Sequence, residues 1–350
     1  MSDDCSNDYL KYLKPTGYHI SGYDPFKLMN ELRVRVIGNG GRIEQSLSYM
    51  DPWSARSWLS VANHPDYQNA QNGTPFHSVA ESVRDTLIET PDWDKQSLEV
   101  IILGPGDCKQ EIRLIQMIRE QLPSIKQFYI CLIEISQELL HCAESNLANA
   151  FKNESNVFVL SVPGDFTHLP QYHELFFTPY RSQRKRLLVM LGATFANLDS
   201  EIEFVRHSLG GFRTGDMLLA DFGLTVYGPA HDKEQIQAKD PYLQSNNRWK
   251  STLEEFIVGP FKRLREDYKH IDFSPTLDET FCVVKGSYCI EMKVTVTCKD
   301  ESKKIFYVHR VKRYDGKQLV KAVCAEGWNT RNGWVYGSYQ ERALNLWQKI

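Results

Sequence analysis

Apolar positions change their rhythm along this chain. From Thr74 onward, short unbroken apolar runs alternate with stretches in which apolar residues recur every three or four positions, the pattern of strands alternating with helices. The first run, residues 100–103, ends in Gly104-Pro105-Gly106-Asp107, and a helical stripe follows through Ile112, Ile115, Ile118 and Leu122. A second run, 128–133, closes on Glu134. Residues 157–162 predict a third strand, followed by Gly164-Asp165-Phe166. Residues 187–191 predict a fourth, leading into Gly192-Ala193-Thr194-Phe195-Ala196-Asn197; 199–208 read as a helix and 217–222 as a fifth strand. This order predicts a parallel, doubly wound α/β sheet.

On either side the rhythm is lost. Residues 1–75 read as irregular, broken by Gly38-Asn39-Gly40-Gly41 and by turn formers at 69–73. Residues 227–247 are polar and loop-like, and Trp249, Leu253, Phe256, Phe261, Leu264 and Tyr268 form a helical stripe bent or restarted at Pro260. Ile290, Met292, Val294, Val296 and Cys298 alternate with polar residues, as in a half-buried strand that returns over 305–308 after a turn. Residues 316–326 then read as a helix, with closing strands at 334–336 and 343–347. The division that follows is a core of 75–227 and 309–350, with an accessory α+β domain from 1–74 and 228–308. Ligands gather where domains meet, so the substrate pocket is expected between them.

The strand–turn–helix at 100–122 carries the first chemical hint. Glycines let backbone approach a ligand where a Cβ would collide, and the following helix start offers free N–H groups. An acid closing the next strand, Glu134, can accept both hydroxyls of a ribose, so the site suits a nucleoside. A dinucleotide fold asks for a third glycine where Lys109 stands and for an earlier acid. S-adenosylmethionine needs a different set: a glycine turn for its methionine part, an acid for the ribose, and an acid with an apolar wall for adenine. Glu134 and Asp165-Phe166 supply the last two. The plain alternative is an ordinary turn with Asp165 as a helix cap.

Composition narrows the class. With 350 residues, 42% of them hydrophobic, the chain can bury a sizeable core. A net charge of −3 gives no bias toward nucleic acid or anionic membranes. No apolar run reaches the roughly 20 residues needed to span a bilayer, and the acidic start lacks a secretion-signal layout. The eight cysteines are scattered without paired spacing and read as small core residues in a reducing, cytoplasmic setting. The histidines show no ligand spacing, so no metal is expected. The basic residues Arg181, Arg184, Lys185 and Arg186 read as a solvated loop.

Taken in order, these motifs resemble the histidine-specific methyltransferase family, which includes ergothioneine-pathway histidine Nα-methyltransferases and fungal prenylated-tryptophan N-methyltransferases. The resemblance rests on Ile133-Glu134-Ile135-Ser136 with Leu139, then Gly164-Asp165-Phe166, then Leu191-Gly192 through Asn197. Met50-Asp51 and Pro65-Asp66-Tyr67 stand where members carry Tyr-Asp and Pro-Glu-Tyr; Asp240-Pro241-Tyr242, Ile290-Glu291-Met292 and Arg313-Tyr314 extend the likeness to the chain's end. It implies a class I methyltransferase fold, Rossmann-like, and S-adenosylmethionine as cofactor. Gly104, Gly106 and Lys109 would border the methionine moiety, Glu134 the ribose, and Asp165 with Phe166 the adenine. Gly192, Asn197 and Tyr242 would hold an amino acid's amino and carboxylate groups, and Tyr67 would line the reacting amine.

The family's imidazole-gripping glutamate and serine correspond here to His309 and Val311, and its tyrosine before the first Asp corresponds to Met50. A pocket stripped of those partners loses its selectivity for histidine. The expected activity is N-methylation of an amino acid or derived small molecule other than histidine, in secondary metabolism. Tyr67 and Asn197 are the candidate catalytic residues; Tyr67, Gly192, Asn197, Tyr242, Met292 and His309 are the substrate-binding candidates. For Tyr67 the plain reading is a buried aromatic, for Asn197 a helix cap, for His309 a structural histidine. Methylation of another small molecule or of a carboxylate oxygen, and a non-catalytic cofactor-binding partner subunit, remain as alternatives.

Overall fold

A computed structural model describes residues 27–65, 67–68, 73–90, 97–172, 184–230, 232–244, 250–264, 268–278, 282–337 and 340–350. Expectations resting on Cys5, Asp66, residues 69–72, His173, Arg181, His231 and Trp249 lie outside these residues.

The N-terminal segment is helical where the sequence reads as irregular. It carries α1 (Lys27–Ile37), the short β1 (Gly41–Arg42), α2 (Gln45–Met50) and α3 (Pro52–Ala62). The helices are brief, so their periodicity is hard to see in a sequence window. Asp51 ends α2 and caps α3: its side chain accepts from Ser54 N at 2.8 Å, and Pro52 occupies the first helical position, where no N–H is required.

After α4 (Phe76–Glu89) comes the α/β core. It consists of β2 (Ser97–Leu103), α5 (Lys109–Gln121), β3 (Gln127–Glu134), α6 (Gln137–Ala150), β4 (Val157–Pro163), β5 (Lys185–Met190) and β6 (Met217–Leu224). The parallel order is β4-β3-β2-β5-β6, the doubly wound, Rossmann-like sheet that the alternation predicts. All seven residues of β2 are buried, as a parallel strand covered on both faces requires. Val100 and Ile102 pack toward α4 and α5, whereas Ile101 and Leu103 join the opposite core with Phe195 and Trp347. The stretch 199–208 is a short helix, Glu201–Glu203, running into a π turn, Phe204–Ser208.

Beyond the core, 227–247 includes a helix, α7 (Lys233–Lys239), and the aromatic stripe forms α8 (Lys250–Lys262), which continues through Pro260. Tyr268 does not belong to that helix; it opens β7 (Tyr268–Asp278), which pairs antiparallel with β8 (Tyr288–Cys298). In turn β8 pairs with β9 (Lys303–Tyr314), which is continuous through positions 308 and 309 and reaches the tip of β6 by pairing Gly223 with Arg313. The accessory strands thereby extend the main sheet. After α9 (Gly316–Ala325), β10 (Trp328–Tyr336) and β11 (Arg342–Lys349) close the chain, with β11 antiparallel to β6. A third core, including Met50, Phe256, Ile290 and Met292, joins α2 and α8 to this meander.

Arg186 departs from the solvated-loop reading. It is wholly buried on β5 between Glu99 and Asp216, each at 3.2 Å, because a strand in mid-sheet leaves its side chain no route to water. Arg184 instead lies over the Tyr129 ring at 3.4 Å.

Candidate functional site

A cavity of about 600 Å³ opens beyond the carboxyl ends of β2, β3, β4 and β5. Strand order reverses between β2 and β5, where the following connections leave in opposite directions and a crevice results. Its lining brings together Gly104, Gly106, Lys109, Glu134, Asp165 and Phe166, residues drawn from three successive strand ends.

The glycine turn needs glycines. Gly104 and Gly106 have φ of 62° and 56°, in the left-handed region. A Cβ on Gly104 would stand 2.9 Å from Thr194 Cγ2 and 3.2 Å from the Phe166 ring. Beside Gly106 the space is open, the nearest neighbour of a Cβ being Trp58 Nε1 at 3.9 Å. Cys108 shares the left-handed conformation, and α5 starts immediately after it.

Glu134 is 4% exposed. Its carboxylate accepts from Ser136 N at 2.9 Å, yet burial pushes its pKa up to about 7, opposed by backbone N–H groups of Ser136, Gly106 and Ile135. Glu111, in the first turn of α5, also lines the cavity; burial raises its pKa to about 8, with Asp107 and Asp221 adding to the rise. Asp165 accepts from Thr167 N at 2.9 Å and from its hydroxyl at 2.7 Å, and its other oxygen lies 3.1 Å from His168 Nδ1. It therefore caps the short helix behind it while lining the cavity. Lys109 Nζ pairs with Asp107 at 2.7 Å and donates to Asn63 at 2.8 Å, tying the glycine turn to α3.

The lining also includes Tyr67, Gly192 and Asn197. Gly192 and Ala193 are both left-handed, with φ of 69° and 65°. Ala193 pays a steric cost that glycine does not, and its N–H is held by Asp221 Oδ1 at 2.6 Å. Asp221 is in turn fixed by the Tyr336 hydroxyl at 2.8 Å and by the Arg342 guanidinium. Burial raises the Tyr67 pKa, so its phenol stays protonated.

Tyr242, Met292 and His309 do not line the cavity. Tyr242 lies 5.5 Å from the Arg313 guanidinium, positioned by Asp240, which accepts its N–H at 3.0 Å and also binds Arg313. Met292 is fully buried in the third core, opposite His309 in the β8–β9 register. His309 packs against Tyr49 and Phe256, with ring centroids 6.1 and 5.8 Å away, and burial lowers its pKa to about 3. A neutral histidine behind Tyr49 follows.

Sequence reasoning missed Gln45, Tyr49 and Trp58, all of which line the cavity. Neighbouring helical residues point about 100° apart, so on α2 Met50 packs into the core while Tyr49 meets the cavity. Met50 is turned from the cavity, and Tyr49 beside it lines it. Tyr49, Trp58 and Tyr67 stand edge to face, at 5.7 and 5.8 Å. The only sequence signal was aromatic enrichment of 49–67.

Among the described residues no group of three or more His, Cys, Asp or Glu side chains could hold a metal ion, and no helix is long and apolar enough to cross a membrane.

No protein-family model matches the chain, and no curated protein matches it. Solved structures are similar. An S-adenosylmethionine-dependent methyltransferase from Clostridium acetobutylicum is 10% identical, over 84% of this chain and 98% of that one, with a TM-score of 0.42. Magnesium protoporphyrin IX methyltransferase from Synechocystis, with bound S-adenosylhomocysteine, is 9% identical over 84% and 94%, with a TM-score of 0.41. A sugar N-methyltransferase from Streptoalloteichus is 11% identical over 82% and 93%, with a TM-score of 0.37. At these identities and scores the likeness assigns neither an activity nor site residues to this chain.

Proposed function

We propose that this chain is an S-adenosylmethionine-dependent methyltransferase acting on the amino nitrogen of an amino acid, or of a small molecule derived from one, other than histidine. The observation that carries the reading is the convergence of Gly104–Gly106, Glu134 and Asp165 on one cavity. These residues fit the cofactor. The space beside Gly106 admits backbone approach, Glu134 offers a carboxylate to ribose hydroxyls, and Asp165 with Phe166 offers an acceptor and an apolar wall to adenine. The resemblance of the motifs to the histidine-specific family supports the same reading.

S-adenosylmethionine supplies an electrophilic methyl group on a sulfonium. The protein's task is then alignment, since in-line displacement gains most of its rate from holding nitrogen, carbon and sulfur in a row. Asn197 and Gly192 would hold the substrate's polar groups, on a loop that Asp221 fixes. Tyr67, kept protonated by burial, would border the amine, which reacts in its neutral form and passes its proton to water. The accessory segments 1–74 and 228–308 would complete the pocket over the core of 75–227 and 309–350, and a cytoplasmic enzyme of secondary metabolism fits this reading.

The first test is a thermal shift. S-adenosylmethionine is expected to raise Tm and NAD to leave it unchanged; the reverse would overturn the cofactor assignment. With an accepted amine, S-adenosylhomocysteine should be released, and Asn197→Ala should lower turnover by about 10²-fold or more while cofactor affinity stays within a few-fold. Unchanged turnover in that variant would remove Asn197 from the site.

A further inference from the structure

We propose that the indole N–H of Trp58 donates to the α-carboxylate of the cofactor's methionine part and so holds it beside the glycine turn. The inference deepens the methyltransferase reading above and rests on it.

An anion at a glycine turn is commonly bound by free backbone N–H groups of the turn and of the helix start behind it. Here several of those groups are already committed within the turn. Gly104 N donates to Ile133 O at 2.9 Å, Cys108 N to Pro105 O at 2.8 Å, and Lys109 N to Asp107 Oδ1 at 3.2 Å. The Gly106 N–H is a hydrogen-bond partner of the Glu134 carboxylate. The Lys109 ammonium, which lines the same wall, is held by Asp107 at 2.7 Å and by Asn63 at 2.8 Å. A carboxylate beside this turn therefore gains from a donor on another element.

The helix α3 brings one. Trp58 lines the cavity, and its Nε1 lies 3.9 Å from where a Cβ on Gly106 would stand. No described residue accepts from this N–H, and it is not closed off in packed protein as the unpartnered indoles of Trp328 and Trp347 are. The ring is steadied on three sides: Tyr49 and Tyr67 meet it edge to face, and the Phe256 ring of α8 stands 5.5 Å away. The helix itself is tied down by the Lys109–Asn63 contact and by Arg56 on Glu138 at 3.1 Å. A donor held in this way loses little freedom when a ligand arrives.

The partner follows from what the turn borders. In the methionine part the sulfonium and the ammonium are cations and accept no hydrogen bond, whereas the carboxylate accepts strongly. The substrate loop has a different neighbour: a Cβ on Gly192 would stand 3.8 Å from the Tyr67 hydroxyl, not from Trp58.

Calorimetry with two ligands tests this: S-adenosylhomocysteine, and its decarboxylated form, the same molecule without that carboxylate. Trp58→Phe should weaken S-adenosylhomocysteine about tenfold or more, as loss of a hydrogen bond to a charged group does, and change the decarboxylated ligand by less than about threefold. Replacing Trp58 by 3-benzothienylalanine exchanges the N–H for sulfur at nearly the same shape, and should give the same pattern without altering the packing of the ring. Retained binding of the decarboxylated ligand shows that each variant is folded. Equal weakening of both ligands, or unchanged affinity for S-adenosylhomocysteine in both variants, would overturn the proposal and leave the methyltransferase reading standing. A wild type that binds neither ligand would overturn that reading, and this proposal with it.

Discussion

One part of the cavity lining comes from the carboxyl tips of three neighbouring strands within residues 104–166; another comes from side chains of 44–67 and a loop at 191–199. The first part is backbone geometry, with Gly104 where a Cβ would collide and acids pinned by local N–H groups. The second is side-chain packing across elements distant in sequence, held by the Asp221–Arg342–Tyr336 network and by Gln45 on Arg310. Such a surface can be written in local motifs because each contact lies near its neighbours in the chain. The second part depends on how the α2–α3 helix pair docks, and one residue of helical rotation decides what faces the cavity.

Three substitutions press on this contrast, from the largest effect to the smallest. Asp221→Ala leaves the buried Arg342 guanidinium unpaired and frees the Ala193 N–H, so it should destabilise the fold by about 3–5 kcal/mol. Chemical denaturation measures this, and a change below about 1 kcal/mol would mean the network does not hold the Gly192 loop. Glu134→Ala removes the proposed ribose acceptor. It should weaken S-adenosylmethionine binding by about 1.5–3 kcal/mol, or roughly 10- to 100-fold, in calorimetry. Unchanged affinity would mean the strand-tip part of the lining does not hold the cofactor.

The third concerns pH. Glu111 holds its proton up to about 8 in the folded chain, whereas an unfolded glutamate releases it near ~4.3. The folded state thus binds more protons in this window, and stability contributed by this group falls as pH rises through it. Glu111→Gln should therefore raise Tm relative to the wild type, slightly at pH 4 and by a few degrees at pH 8.5. A difference independent of pH would show that Glu111 ionises normally.

Much of the sheet was legible because parallel strands buried on both faces read as unbroken apolar runs. The five core strands and the closing helix lie close to where the pattern puts them. What failed to read was short or edge-like. The helices of 27–62 are too brief to show periodicity, and β7, with most of its residues half-buried or exposed, carries no clean alternation. Arg186 misled because a basic cluster is usually solvated, and only the sheet shows Glu99 and Asp216 beside it. Met50 misled by a single position.

By itself, the sequence determined the alternating α/β core and the glycine turn, Glu134 and Asp165 in register at successive strand ends, because these depend on periodicity and on near neighbours. Only the tertiary structure decided that Tyr49 rather than Met50 faces the cavity, that Met292 and His309 lie behind its wall, and that Gln45 is among the lining residues. Those outcomes follow from the rotation of α2 and its docking against β9, contacts between residues more than 200 positions apart, which no local pattern encodes.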